Sequence, residues 1–270
     1  MQADLANARL YALSPDEIHV YQADLRVIES LDKALYELLS GDERDRASEF
    51  VDALHRLRFV AARGLLRMLL SAYTGQRPGD LQFRYGAQGK PQLCAPAGAG
   101  NLEFNLSHSD DVVVYAITRN RAVGGDVEHV KDFSGMEDVA EMSFSPQEVR
   151  AWRSFPAGER TKAFYRCWTR KEAFIKAVGS GVSYPLDRFD VTLGDQAELL
   201  SLEDDRTKAA EWTLYDCDLS TDLAGAVAVH SRGLKLLQFA LDAATHSGSP
   251  DEIQITASRL GLPGTGIAED

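Results

Sequence analysis

The stretch FYRCWTRKEAFIKAVGSG, residues 164–181, constrains the fold more than any other segment of the chain. Phe164, Trp168, Ile175 and Val178 recur at helical spacing, so the segment predicts a helix with one face turned to a core. Gly179 and Gly181 stop it. At 100° per residue Lys171 falls in the middle of the apolar face and Glu172 borders it. Charged side chains enter a core-facing stripe only when they are paired or used.

A second helical region runs through DALHRLRFVAARGLLRMLLSAYTG, with Phe59, Ala62, Leu66, Leu69 and Tyr73 on one face and Gly75 as its stop. It begins after SGDE at Ser40, a Ser-x-x-Glu capping box, and is interrupted once. Strands follow each helical region. Residues 9–30 read as one or two strands and a turn. LQFRYGAQGKPQL gives two short strands around a Gly-rich turn, and 94–100 is a loop. LEFNLSHSDDVVVYAITRNRAVGGDVEHV gives three strands, with SHSDD and TRNR as turns. FSPQEVRAW starts a further helix, with Ser145 as its cap, Pro146 at its first position and Glu148 closing a capping box. RFDVTLG, EWTLYDCD and AGAVAVHS are later strands. Residues 233–270 read as an appended segment, helical at LKLLQFALDAA and then polar. A long helix followed by strands occurs in both halves, which suggests a duplication.

Several function classes are excluded. No apolar run is long enough to span a bilayer, and the first residues lack the basic and apolar regions of a secretory signal. Three scattered cysteines without metal-ligand spacing fit a reduced, cytoplasmic protein. A net charge of −12 argues against nucleic-acid binding and makes any local cationic cluster informative.

Five features carry candidate chemistry, and each has a plainer reading beside it. Asp126 and Glu128, two apart in a strand, point to the same face. Two carboxylates there suit Mg²⁺ with substrate phosphate oxygens, or are an exposed acidic strand end. His129 points to the other face, which speaks against zinc. Ser107 and His108 are a turn bonding its own backbone, or a phosphate contact. Gly86, Gly89, Lys90 and Pro91 form a hairpin turn, or an edge open to a nucleobase or phosphate. The Walker spacing is absent. The arginines from Arg44 to Arg67 are a solvated face with Glu/Arg pairs, or the cationic density of a ligand site. Glu172 and Lys176 at i,i+4 are an ordinary helical ion pair, or part of the same site.

Taken in order, GKPQL, FNLSHS, VGGDVE and FYRCWTRKEAFIKAVGSGVSYPLDRFDV resemble the 4′-phosphopantetheinyl transferases, specifically the larger, monomeric, Sfp-like type. The Trp-x-x-Lys-Glu-Ala core at 168–173 is the most specific part, and the resemblance spans roughly residues 40–232. It implies an α+β fold of two similar halves related by a pseudo-twofold axis, with the ligand between them: 1–121 on the coenzyme A side, 122–232 on the metal side, and 233–270 as an extension. It implies transfer of the phosphopantetheine arm of coenzyme A to a serine of an apo acyl or peptidyl carrier protein, with release of 3′,5′-ADP. Mg²⁺, or Mn²⁺ in its place, is the implied metal.

By motif, Asp126, Glu128 and Glu172 correspond to the metal site, with Glu172 as general base. Ser107 and His108 correspond to the phosphate-contacting pair, Lys171 and Lys176 to cations on the coenzyme A phosphates, and Gly89, Lys90 and Pro91 to the segment beside the adenine. Arg46 and Arg58 fall where the family places cations for the 3′-phosphate, with Arg63 as their rival. The hydrophobes around MSFSPQEVRAW are the expected carrier-docking surface. Gly125 departs from the family, which has a large aliphatic residue before the metal aspartate. A glycine there predicts a looser strand. A Mg²⁺-dependent phosphohydrolase and a silent coenzyme A-binding protein are the alternatives from other classes.

Overall fold

A computed structural model describes residues 12–26, 31–94, 101–181, 184–245 and 253–260. The first strand, β1 (Glu17–Asp24), is followed by α1 (Asp32–Glu37), α2 (Gly41–Ser48) and α3 (Ala53–Thr74). Ser40 caps α2 as expected, its N–H donating to Glu43 Oε2 at 3.1 Å. The interruption between α2 and α3 is real. Asp52 caps α3 by accepting the His55 N–H at 2.9 Å, and Gly75 ends it at φ 71°. The hairpin of β2 (Phe83–Tyr85) and β3 (Pro91–Leu93) then leads into β4 (Leu102–Ser109), β5 (Val112–Arg119) and β6 (Val123–His129).

The second half carries α4 (Met136–Ser143), α5 (Pro146–Ser154) and α6 (Ala157–Val178). After them come β7 (Phe189–Val191), β8 (Leu199–Leu202), α7 (Arg206–Ala209), β9 (Thr213–Asp216) and β10 (Leu223–Val229). The described residues close with β11 (Lys235–Thr245) and β12 (Ile253–Arg259). The expected helix around residue 164 thus begins a full two turns earlier, and α4, β8 and α7 escape a sequence reading because each is short.

Strand order explains the layering. A five-stranded sheet runs β12-β11-β1-β5-β4, and a three-stranded sheet runs β6-β10-β9. On β1 and β5, alternate residues go to opposite cores. Tyr21, Ala23, Val113, Tyr115 and Ile117 pack against α3. Ile18, Val20, Val114 and Ala116 pack instead on Val123, Val127, Val227 and Val229 of the second sheet. The other face of that sheet, through Ala226 and Ala228, meets Phe164, Ala173, Phe174 and Ala177 of α6. The molecule is therefore helix, sheet, sheet, helix, an α+β arrangement in which each half lays one long helix on its own sheet.

Residues 235–245 correct the expectation of a helix and of an appended segment. They form β11, paired in parallel with β1 from Glu17↔Lys235 to Gln22↔Ala240 and antiparallel with β12. The last strands of the chain thus complete the sheet of the first half. The apolar run LKLLQFAL has no clear period because β11 is covered on both faces, Leu236 in one core and Phe239 and Leu241 in the other. The loop expected at 94–100 lies, apart from Cys94, outside the described residues, as does the end of the polar tail.

Candidate active site

The centre of the candidate site is β6. Its residues alternate: Val123 and Val127 enter the core between the sheets, while Asp126 and Glu128 take the face shared with the C-terminal half of α6. The two elements touch closely at Gly124. A Cβ there would stand 2.1 Å from the Ala173 carbonyl oxygen and 2.3 Å from the Ala177 nitrogen, so only glycine fits. Gly125 is different. A Cβ on it would meet nothing closer than 3.6 Å, and its N–H donates to Asn105 Oδ1 at 2.8 Å. The expected looseness at Gly125 is therefore offset by a hydrogen bond from the neighbouring strand.

That bond belongs to a ladder. Ser107 and His108, expected in a turn, lie inside β4, and the turn proper is at Asp110, whose φ is 48°. Asn105, Ser107 and Ser109 share one face of β4 and meet β6 in succession. Asn105 holds Gly125, Ser107 Oγ donates to Asp126 Oδ1 at 2.9 Å, and Ser109 Oγ donates to Glu128 Oε2 at 2.8 Å. Asn105 and Ser109 were not expected as site residues. Their polar period of two, between Phe104, Leu106 and His108, was the signal that could have found them.

From α6 the Lys176 ammonium closes on the same point, 2.5 Å from Asp126 Oδ1 and 2.9 Å from Ser107 Oγ. Asp126 is buried, and its second oxygen, Oδ2, has no hydrogen-bond partner among the described residues. Burial raises the Asp126 pKa against the opposing pull of Lys176. Burial also raises Glu128, aided by the charge of Asp126, and raises Glu172, which feels both Asp126 and Glu128. Three carboxylates that disfavour each other's charge, one with an orphaned buried oxygen, form a hard-oxygen donor set short of positive charge. Mg²⁺ or Mn²⁺ fits such a set. Among the described residues the carboxylates do not yet close on one common point, and Lys176 holds Asp126 in its present orientation.

A cationic rim borders the carboxylates. His108, at the end of β4, is exposed as a residue, but its ring is partly shielded from water; that partial desolvation first, and then the charges of Lys176, Arg58 and His55, lower its pKa. Arg58 donates to Asp111 Oδ1 at 2.8 Å, which fixes it beside the β4–β5 turn. His55, one turn before Arg58 on α3, was missed in the sequence because it carries no motif.

The remaining expected residues lie elsewhere. Lys171 is the main correction. It is only 1% exposed, and its ammonium bonds Glu148 Oε2 at 2.8 Å and the carbonyls of Leu186 and Phe189 at 2.6 Å. All of these belong to the core of the second half, so Lys171 holds α5 and β7 to α6 and does not face the Asp126 cluster. The stripe-breaking lysine is buried and paired, which answers its place on the apolar face. Arg63 is buried too, ion-paired with Glu43 at 3.1 Å and donating to Tyr85 Oη at 2.7 Å. Arg67 shares Glu43 at 2.6 Å. Arg46 is exposed on α2 with its guanidinium 6.0 Å from the centre of the Phe59 ring, and it makes no bond to the cluster among the described residues. Gly89 sits in the β2–β3 turn at φ 76°, as a turn residue requires, and Pro91 begins β3. The Lys90 ammonium is directed at main-chain carbonyls of the second half.

Comparison with known proteins gives this geometry its context. Residues 122–228 match the 4′-phosphopantetheinyl transferase superfamily, and residues 29–120 match the family described as 4′-phosphopantetheinyl transferase, N-terminal. The boundary between the two matches falls just before β6. Among relatives, the chain is 36% identical over 221 residues to the 4′-phosphopantetheinyl transferase HetI of Nostoc sp., covering 82% of this chain and 91% of that one. It is 30% identical over 202 residues to the phosphopantetheinyl transferase of Thraustochytrium sp., covering 71% of this chain and 70% of that one. To the 4′-phosphopantetheinyl transferase Sfp of Bacillus subtilis it is 30% identical over 161 residues, covering 60% of this chain and 69% of that one. The two matched regions supply both sides of the cluster, Ser107 and His108 from the first and Asp126, Glu128, Glu172 and Lys176 from the second, and on these relations the chain belongs to the 4′-phosphopantetheinyl transferase superfamily.

Proposed function

We propose that the Asp126 cluster is the active site of a phosphopantetheine transfer from coenzyme A to a carrier-protein serine. As a member of its superfamily the chain is a transferase of the holo-[acyl-carrier-protein] synthase class. The observation that carries the site assignment is the meeting of Asp126, Ser107 and Lys176 from three elements, with one Asp126 oxygen left unpartnered.

In the proposed reaction the carrier serine Oγ attacks the phosphorus that bears pantetheine. The new Oγ–P bond forms as the P–O bond to 3′,5′-ADP breaks. Asp126, Glu128 and Glu172 would hold Mg²⁺, with Mn²⁺ as a substitute, and the bound ion would neutralise charge on the pyrophosphate oxygens. Lys176 binds the phosphates from α6, and Ser107 orients Asp126. Glu172 receives the serine proton. His108 and Arg58, with His55 beside them, take the 3′-phosphate side. Arg46 is peripheral unless α2 moves. Gly89, Lys90 and Pro91 line the adenine through their main chain. The sequence up to residue 121 then forms the coenzyme A side and 122–232 the metal side. Lys171 has no place in the chemistry.

Carriers are acidic by expectation, and a chain of net charge −12 needs a local surface to receive them. Met142, 76% exposed on α4, and Phe133 are the candidate apolar contacts in the segment that follows β6. The protein works as a cytoplasmic monomer in this reading, and no described helix is long and apolar enough to cross a membrane.

The test is direct. Incubation with coenzyme A, Mg²⁺ and a panel of apo carriers should add the phosphopantetheine mass to a carrier and release 3′,5′-ADP. Free phosphopantetheine without modified carrier would show hydrolysis instead. Asp126→Ala and Glu172→Ala should each abolish transfer with the fold intact by circular dichroism, and near-normal transfer in either refutes the metal roles.

A further inference from the structure

Lys90 stands on the β2–β3 turn of the first half, yet its ammonium lies in the second. It donates to the Val123 carbonyl at 2.8 Å and to the Lys176 carbonyl at 2.8 Å. Val123 is the first residue of β6, and Lys176 is in the last turn of α6. The final carbonyls of a helix have no partner within it, and a cation is favoured at that end. Lys90 thus caps α6 from outside; burial pushes its pKa down to about 8, and the Glu103 carboxylate on β4 opposes that shift and favours the charged form. A second contact repeats the link. A Cβ on Gly181 would stand 2.9 Å from Gln88 Cβ, so the same turn rests on the chain just leaving α6.

The two bonded carbonyls bracket the tightest point of the site. Gly124, next to Val123, is where β6 and α6 are in closest approach, and Asp126 follows two residues on. Residue 176 is bound at both ends. Its carbonyl accepts from Lys90, and its ammonium pairs with Asp126. Lys90 makes no contact with any of the three carboxylates assigned to the metal.

We propose that Lys90 is a positioning residue that clamps β6 to the end of α6 and ties their spacing to the turn on the coenzyme A side. It sets the distance between the Asp126–Glu128 pair and the Glu172–Lys176 pair through the backbone. The inference rests on the reading of those four residues as the metal and phosphate site. It assigns the Lys90 side chain a structural target instead of a phosphate.

The test uses the full chain with Lys90→Met and Lys90→Arg, and Lys90→Gln as a second neutral variant should Lys90→Met fold poorly. Mn²⁺ binding to the free protein is read by electron paramagnetic resonance, and transfer is read as separate kcat and KM values. Outer partners of metal ligands typically change affinity or activity about 10-fold to 100-fold. The neutral variants should therefore weaken Mn²⁺ binding and lower kcat by about 10-fold, leaving the KM for carrier unchanged, and Lys90→Arg should restore most of both. Wild-type Mn²⁺ affinity and kcat in both neutral variants, with only the KM for coenzyme A raised, would overturn the clamp and make Lys90 a direct ligand contact. Failure of the wild-type protein to bind Mn²⁺, or equal binding by Asp126→Ala, would instead overturn the site assignment beneath it.

Discussion

Two lysines five residues apart on α6 show how far one side chain's surroundings decide its role. Lys171 and Lys176 both follow from the same motif, but Lys171 is enclosed with Glu148 and Lys176 reaches Asp126 at the edge of the site. Removing one partner of a buried ion pair leaves the other uncompensated, at a cost of about 3–5 kcal/mol. Lys171→Met should therefore lower the stability to urea by that order while leaving kcat of the remaining folded protein near wild type. Lys176→Met should lose transfer outright, and because it leaves the buried Asp126 carboxylate without its cation it should also lower the urea midpoint, by less than Lys171→Met since Lys176 itself lies at the edge of the site. The adjacent glycines make a similar contrast. Gly124→Ala drives a methyl into the α6 backbone and should cost both folding and transfer. Gly125→Ala meets only ordinary contacts and should range from neutral to about 1 kcal/mol more stable by thermal unfolding.

At the scale of elements, β4, β6 and α6 build the site, and the last two strands of the chain support it from a distance. β11 lies between β1 and β12, and β1 in turn pairs with β5, which pairs with β4. Cutting the chain after residue 232 would uncover Phe239 and Leu241 contacts in the first-half core and leave β1 an open edge. The truncated protein should be insoluble or lack a cooperative unfolding transition. A soluble product with wild-type melting would show that the strand pairing is dispensable. Residues 233–270 look like an addition in the sequence because the motifs end near residue 232, and motifs mark chemistry rather than sheet order. The capping boxes at Ser40 and Ser145, by contrast, were legible because the bonds they form are local.

The whole molecule places its polar groups unevenly, and one buried group outside the site makes its stability depend on pH. His19 is enclosed between α3 and the first sheet, with Nδ1 2.6 Å from Tyr73 Oη. Burial lowers its pKa below the ordinary histidine value of 6.5, against the opposing influence of Glu17. Below about pH 6.5 the unfolded chain then binds a proton that the folded chain resists, so stability falls as pH decreases through that region and rises again on return. His19→Gln should flatten this part of the urea stability profile between about pH 5 and 7, and an unchanged slope would remove His19 as its source. The net charge of −12 acts at the same scale. The cations Arg58 and Lys176, with the His55 and His108 rings between them, are a local exception within an acidic field, so added salt should change coenzyme A binding less than it would for a uniformly basic protein.

The helices with a clear 3.6-residue period, their caps, the strand that carries Asp126 and Glu128, and the family to which the motifs belong are all legible along the chain. These are properties of neighbours along the chain, where periodicity and spacing translate directly into a shared face. Packing between elements is what turns Lys171 into the core, holds Arg63 on Glu43, carries Lys90 to the other half and returns residues 235–259 to the first sheet. Each of those depends on a partner 15 or more residues away. A charged side chain on an apolar face needs a counter-charge or carbonyls within about 3 Å, and which group supplies them is settled by packing between elements, not by the residues beside it in the chain.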